Sequence, residues 1–132
     1  MTVDTRCKII GAARAASLVG NARSTGRGIL LLTGYFDPLL AAHAERVSEL
    51  RASGPDRLLM VLVRTPEEPL MPAEARAELV AALSDVDYVV VDEERSVELL
   101  HLLKPEEVID DEAADGQRRR EFMSRVRSRN AA

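Results

Sequence analysis

The stretch Thr33-Gly34-Tyr35-Phe36-Asp37-Pro38-Leu39-Leu40-Ala41-Ala42-His43 gathers the residue types that handle an anion. It follows the apolar run Ile29-Leu30-Leu31-Leu32 and leads into a segment with helical spacing. Gly34 lets the chain leave a strand in a tight turn. The backbone amides at the start of the next helix point out of its N-terminus and form a natural seat for phosphate. His43 falls about one turn inside that helix, so its imidazole can reach a bound phosphate. Walker-type Gly-Lys-Ser and Gly-x-Gly-x-x-Gly patterns are both absent. No His/Cys/Asp spacing suggests a zinc site, and His101 has no partner motif. The chemistry on offer is phosphate binding by backbone and imidazole.

The elements that must position this turn alternate between helix and strand. Lys8 to Arg23 is Ala-rich with apolar residues at helical spacing, and the Ser24-Thr25-Gly26-Arg27-Gly28 turn stops it. Gly28 to Gly34 is a continuous apolar run of the kind buried on both faces of a parallel sheet. Leu39 to Ala52 reads as a helix, Leu58 to Val63 as a second strand, and a helix from Pro72 to Leu83 follows a proline-containing loop. Val86 to Val91 is a third strand and Ser96 to Leu103 a short helix. Glu107 to Asp110 is a weaker strand, and Asp115 can cap a last helix that ends near Arg129. The pattern predicts a single doubly wound, Rossmann-like α/β domain over residues 1–132 with a central parallel sheet. Its core spans 28–110, between a lead-in helix 8–23 and a C-terminal helix 115–129. In such sheets ligands bind beyond the carboxyl ends of the strands, where strand order reverses.

Composition narrows the function classes. A chain of 132 residues suits one domain, and its single cysteine, Cys7, excludes an intrachain disulfide framework. No apolar run approaches the roughly 20 residues of a membrane span. The N-terminal stretch with Arg6 and Lys8 reads as an amphipathic helix, since Arg14 interrupts its apolar run. A cytoplasmic protein without a membrane partner is the expectation. Charge is uneven: Asp85 to Asp115 holds twelve acidic residues against Arg95 and Lys104, while Gly116 to Ala132 holds six arginines against Glu121. A basic tail of that kind binds phosphates or is neutralised by the acidic segment beside it. Two tyrosines and two phenylalanines are too few for a base-stacking platform, so nucleic acid is not the expected partner.

The segment Gly34 to His43 resembles the G-x-F-D-x-x-H-x-G-H segment of the cytidylyltransferase-like nucleotidyltransferases. The pattern is most like that of the nucleotidyltransferase domain of ADP-heptose synthase, with glycerol-3-phosphate cytidylyltransferase nearby. The likeness extends over about residues 8 to 110. Gly54-Pro55-Asp56-Arg57-Leu58-Leu59-Met60-Val61 resembles the family's G-D-x-L-I-V-A-V strand, and Pro72-Ala73-Glu74-Ala75-Arg76 its P-x-E-x-R helix. Val86-Asp87-Tyr88-Val89-Val90 resembles a V-D-W-V-V strand, and Lys104-Pro105-Glu106-Glu107-Val108-Ile109 a K-P-D-V-L-V strand. The resemblance implies displacement at the α-phosphate of a nucleoside triphosphate by a phosphorylated small molecule, with pyrophosphate leaving and magnesium accompanying the triphosphate. It implies ATP or CTP as the nucleotide, a sugar or polyol phosphate as the second substrate, and a homodimer. Thr33, Gly34, Tyr35, Phe36, Asp37, His43, Arg76 and Arg118 are then the candidate ligands of nucleotide or phosphate, with His43 the candidate catalytic group.

The sequence departs from that pattern inside the site. Leu40 stands where the first histidine belongs, and losing one oxyanion donor typically costs about 10² to 10³ in rate. Ala42 replaces the glycine, Ile109-Asp110-Asp111-Glu112-Ala113 replaces the V-K-G-G-D-Y segment, and the late serine/threonine segment is absent. The surviving residues also have structural readings. His43 can be packed on its helix, Asp37 can cap that helix with Pro38 at its first position, and Phe36 can be core. Arg76 can form an exposed helical salt bridge with Glu74 or Glu78. The run Arg118 to Arg120 either replaces lost phosphate ligands or is a solvated face above Phe122, Met123 and Val126. Three functions follow as expectations. The first is a degenerate family member that holds a nucleotide or phosphorylated metabolite without efficient catalysis. The second is a working transferase in which His43 and the arginines share the phosphate load, and the third a non-catalytic interaction module on the same fold.

Overall fold

The computed structural model describes residues 4–91 and 96–130. The acidic stretch Asp92 to Glu94 and Arg95, counted above, lies outside the described residues, as do Met1 to Val3, Ala131 and Ala132. The order of elements is a 3-10 turn (Thr5–Lys8), α1 (Ala12–Ser24), β1 (Ile29–Gly34), α2 (Ala41–Ser53), β2 (Leu58–Val63), α3 (Ala73–Ala81), β3 (Tyr88–Val91), α4 (Ser96–Leu103), β4 (Glu107–Asp110) and α5 (Glu112–Asn130).

The strands form one all-parallel sheet in the order β3-β2-β1-β4. β1 and β2 are in register from Ile29 opposite Leu58 to Gly34 opposite Val63, and every residue of both is buried. Alternation along a strand sends successive side chains to opposite faces. Leu30 and Leu32 therefore pack with Val47 and Leu50 of α2 and Ala77, Val80 and Ala81 of α3. Ile29 and Leu31 pack with Ala15, Val19 and Ala22 of α1 and with Leu99 and Leu103 of α4. Each fully buried leucine contributes about 1.5 to 3 kcal/mol by leaving water. Helices on both faces make the domain the doubly wound α/β type that the sequence predicts.

The chain runs outward from β1 to β2 to β3, then returns so that β4 lies on the other side of β1. Strand order thus reverses at the carboxyl ends of β1 and β4, where a crevice opens above the sheet. Among the described residues no helix is long and apolar enough to cross a membrane.

Several boundaries differ from expectation: α2 begins at Ala41 rather than Leu39, α3 ends at Ala81 rather than Leu83, and three further differences have a clear cause. The lead-in helix does not begin at Lys8: Ile9 bridges Val89 in parallel fashion, and the Ile10 amide donates to the Val89 carbonyl at 2.9 Å. These β-branched residues extend the edge of β3, so α1 starts only after Gly11. β3 begins at Tyr88 rather than Val86, because the Val86 amide closes a turn onto the Leu83 carbonyl. The last helix starts at Glu112, three residues before Asp115. Asp110 caps it, its Oδ1 accepting from the Glu112 amide at 2.9 Å.

Candidate anion seat at the end of β1

β1 ends at Gly34, and the residue that turns the backbone is Phe36, with φ of 51°. A phenylalanine in the left-handed region stores about 1 to 3 kcal/mol of strain, which the buried packing of its ring must offset. That packing includes the His43 imidazole, 5.1 Å away between ring centroids. The turn aims the amides of Tyr35 and Phe36 at one point, as backbone nests do. Gly34 serves a different purpose from the one predicted: it has no positive φ, but a Cβ there would lie 2.5 Å from Oδ2 of Asp115 and 3.1 Å from the Phe36 ring. Glycine is required by close approach.

At the focus of the turn lies Asp115, the one residue of α5 that is buried. Its Oδ2 accepts from the Tyr35 amide at 2.7 Å and the Phe36 amide at 3.1 Å. Its Oδ1 accepts from Nη1 of Arg118 at 3.1 Å and hydrogen-bonds Nε2 of His43. His43 Nδ1 accepts the Leu40 amide at 2.9 Å, the side-chain half of a capping box. That bond leaves the ring proton on Nε2, aimed at the carboxylate. Burial disfavours the ionised form of Asp115, but the His43 hydrogen bond and the two amides outweigh it. The carboxyl is held below its ordinary value.

The other predicted residues occupy the walls. Asp37 does not cap α2, whose N-cap is Leu40. Its carboxylate instead accepts from the amides of Leu70 and Met71 at 2.7 and 2.9 Å and from Nε of Arg119 at 3.0 Å. With Asp37 so engaged, the His43 ring takes over the helix start. Arg76 makes no exposed salt bridge, because it is fully buried. Its guanidinium donates to the carbonyls of Tyr35, Arg64 and Met71 and to Oγ1 of Thr65, tying turn, strand end and loop together. Burial lowers its pKa from the usual arginine value. Thr33 Oγ1 donates to Asp110 Oδ1 at 3.2 Å across the β1–β4 pair. Arg118 and Arg119 turn inward to Asp115 and Asp37, and Arg119 also reaches the Glu68 carbonyl. They are therefore not a solvated face, and Val126 is exposed rather than packed beneath them.

Beside the seat, Tyr35, the loop Pro66-Glu67-Glu68, Gly116, Arg119 and Arg120 line an open cleft of about 420 Å³. Leu40 faces elsewhere, into a shallow groove with Phe122, Val126, Arg125 and Arg129. At the β4–α5 corner Asp111 pairs with Arg46 at 3.1 Å and Glu112 with Arg64 at 3.0 Å. Among the described residues no group of three or more His, Cys, Asp and Glu could hold a metal ion. The sequence pointed to the turn, His43 and Arg118 but missed Asp115 as their common partner. Its only local signal is the i,i+3 spacing to Arg118.

A family model described as cytidylyltransferase-like matches residues 31–124, a span that holds the whole seat. The bifunctional protein HldE of Trichlorobacter lovleyi is 30% identical over 78% of this chain and 23% of its own length. That of Pelobacter propionicus is 32% identical over 77% of this chain and 22% of its own. That of Syntrophotalea carbinolica is 34% identical over 64% and 19%. The chain therefore spans about a fifth of the length of the curated relatives it matches.

Proposed function

Because this chain belongs to the cytidylyltransferase-like family, we propose that it holds a nucleotide or a phosphorylated metabolite at the end of β1 without efficient nucleotidyl transfer. The observation that carries this reading is the convergence of four donors on one buried point. Two amides, the His43 N–H and the Arg118 guanidinium form a set whose natural occupant is an oxyanion. The adjoining cleft has room for the rest of a ligand, and its wall sets Arg119 and Arg120 beside Glu67 and Glu68.

The limits on catalysis come from the same residues. Transfer needs donors where charge builds on the α-phosphate and on the departing pyrophosphate. Leu40 supplies none. The corner after β4 is acidic, and Asp110, Asp111 and Glu112 repel a polyphosphate except where Arg46 and Arg64 offset them. Magnesium would have to arrive with the triphosphate. Those three carboxylates are already engaged by Thr33, Arg46 and Arg64, so they do not fit it.

The test is calorimetry with ATP and with CTP, with and without magnesium, followed by a pyrophosphate-release assay with sugar and polyol phosphates. Binding that weakens in His43→Ala, with no pyrophosphate release, is the expected result. Turnover that His43→Ala abolishes would replace this reading with that of a working transferase. Absence of binding at millimolar nucleotide would leave a non-catalytic interaction module, to be sought through its partners or its self-association.

A further inference from the structure

We propose that Asp115 is the resident occupant of the anion seat, and that a ligand's phosphoryl group enters only as Asp115 leaves. The inference rests on the reading that this seat accepts phosphate, and it concerns how access is controlled. Three observations carry it.

The first is stoichiometry. Both Asp115 oxygens are fully engaged, and each donor of the seat is aimed at them. A phosphoryl group at the same amides would meet a buried carboxylate at contact distance, where like charges exclude each other. The closeness of Oδ2 to the Gly34 backbone shows that the carboxylate sits flush against the strand, with no layer left beneath it. Occupancy is therefore one anion at a time.

The second is the attachment of α5. Asp115 is its only buried residue among those described, Phe122 and Met123 are half-buried, and residues 124–130 are all exposed. The residue after Asp115 is Gly116, and a glycine inside a helix costs about 0.8 to 1 kcal/mol relative to alanine. The start of α5 is thus held to the body by the carboxylate itself, by the Arg46–Asp111 and Arg64–Glu112 pairs beside it, and one turn on by Arg119, which reaches Asp37 and the Glu68 carbonyl.

The third is what withdrawal would leave behind. Arg118 loses its partner and Arg119 stays on the wall of the cleft that Tyr35 and Gly116 border. The seat then gains a net positive charge at the moment a phosphate arrives. Asp115 acts as an internal competitor, and the apparent affinity of any phosphate ligand is reduced by the fraction of time it is docked.

The experiment is a titration with inorganic phosphate of the wild-type chain, D115A and D115N, read by calorimetry and by the rise in Tm. D115N retains an acceptor for the two amides but places a donor toward His43, so it covers the case in which D115A does not fold. The expected result is phosphate binding tighter by about ten-fold or more in either folded variant, with a larger rise in Tm than in wild type. Folded variants that bind phosphate no better than wild type would overturn the proposal. If neither variant folds, the amide resonances of Tyr35 and Phe36 in the wild type decide it: both shift on adding phosphate, or the proposal fails. The outcome is separable from that of the previous section. Wild type that ignores ATP and CTP, beside D115A that takes phosphate, removes the nucleotide reading and leaves this one standing. Wild type that binds nucleotide with unchanged affinity in the Asp115 variants does the reverse.

Discussion

The two ends of β1 are each closed by a carboxylate from far along the chain, and the contrast between them bears on why one end is proposed as a site. At the entry, Glu106 accepts the Ile29 amide at 2.6 Å and pairs with Nε of Arg23 at 3.0 Å. At the exit, Asp115 accepts the Tyr35 and Phe36 amides and pairs with His43 and Arg118. The chemistry is the same, amides of one strand meeting an acid that also holds a cation or an imidazole. The surroundings are not. The Glu106 side chain is 47% exposed and that of Asp115 is 2% exposed. Water can replace each partner of Glu106, so that contact is a clasp at the strand's entry. The His43 ring is only 4% exposed, so on the proposed reading that end calls for an anion in place of Asp115.

The largest expected effect is therefore that of D115A. It strands two amides, the His43 N–H and a guanidinium, and removing one member of a buried pair costs about 3 to 5 kcal/mol. Urea unfolding measures it. A loss below about 1 kcal/mol, the range of an exposed pair, would show that the exit seat is solvated and that the contrast between the two ends is false.

Next in size is Gly34→Ala. The new methyl must displace Asp115 or the Phe36 ring, and overpacking of this kind costs about 1 to 3 kcal/mol. The comparison sharpens if the substitution is repeated in D115A. With the carboxylate gone its nearest obstacle disappears, so the double variant should be more stable than the sum of the single losses predicts. Strict additivity would mean that Gly34 answers only to Phe36.

These two positions also show what a single sequence can and cannot carry. β2, α4 and β4 occupy the residues their apolar patterns predict, and the buried alternation of β1 follows from four consecutive aliphatic residues. The turn was legible as a candidate anion seat because glycine, a helix start and His43 lie within ten residues. Its true geometry was not, because the positive φ falls on Phe36, a residue type that gives no warning of it. Asp37 matched a helix cap by type and position, yet Leu70 and Met71, over thirty residues away, claim its carboxylate. Asp115 was one of twelve acidic residues between 85 and 115. Only the return of β4 to the far side of β1 selects it, and strand order is not written in local spacing.

A smaller effect should appear in acid. The Asp115 carboxyl is held below its ordinary value near 3.8 despite burial, by His43 and the two amides. A depressed carboxylate contributes stability that is fully present above the unfolded value and lost as pH falls through the folded one. Wild type should therefore lose its advantage over D115N as pH is lowered through and below the unfolded value near 3.8, and hold it unchanged well above that value. Urea midpoints across the range check this. An advantage that grows on acidification would mean that the carboxyl is protonated in the native seat.

The smallest effect should be that of Glu106→Gln. Burial opposes its ionised form while the Ile29 amide and Arg23 favour it, and the balance leaves its carboxyl below the usual range. The side chain is nearly half exposed, so solvent screens most of that gain and the loss should stay within about 1 kcal/mol. Glutamine also keeps an acceptor for the Ile29 amide. Arg23 retains the carbonyls of Leu103 and Lys104, which anchor it to the end of α4 independently of the acid. The variant should unfold at nearly the wild-type urea midpoint and bind inorganic phosphate as wild type does. If it is as costly as D115A, burial is not what separates the two ends of the strand, and the number of donors on each acid would have to take its place. If it costs little but alters phosphate affinity, the two ends are coupled through β1 itself, and the seat cannot be treated as a local device.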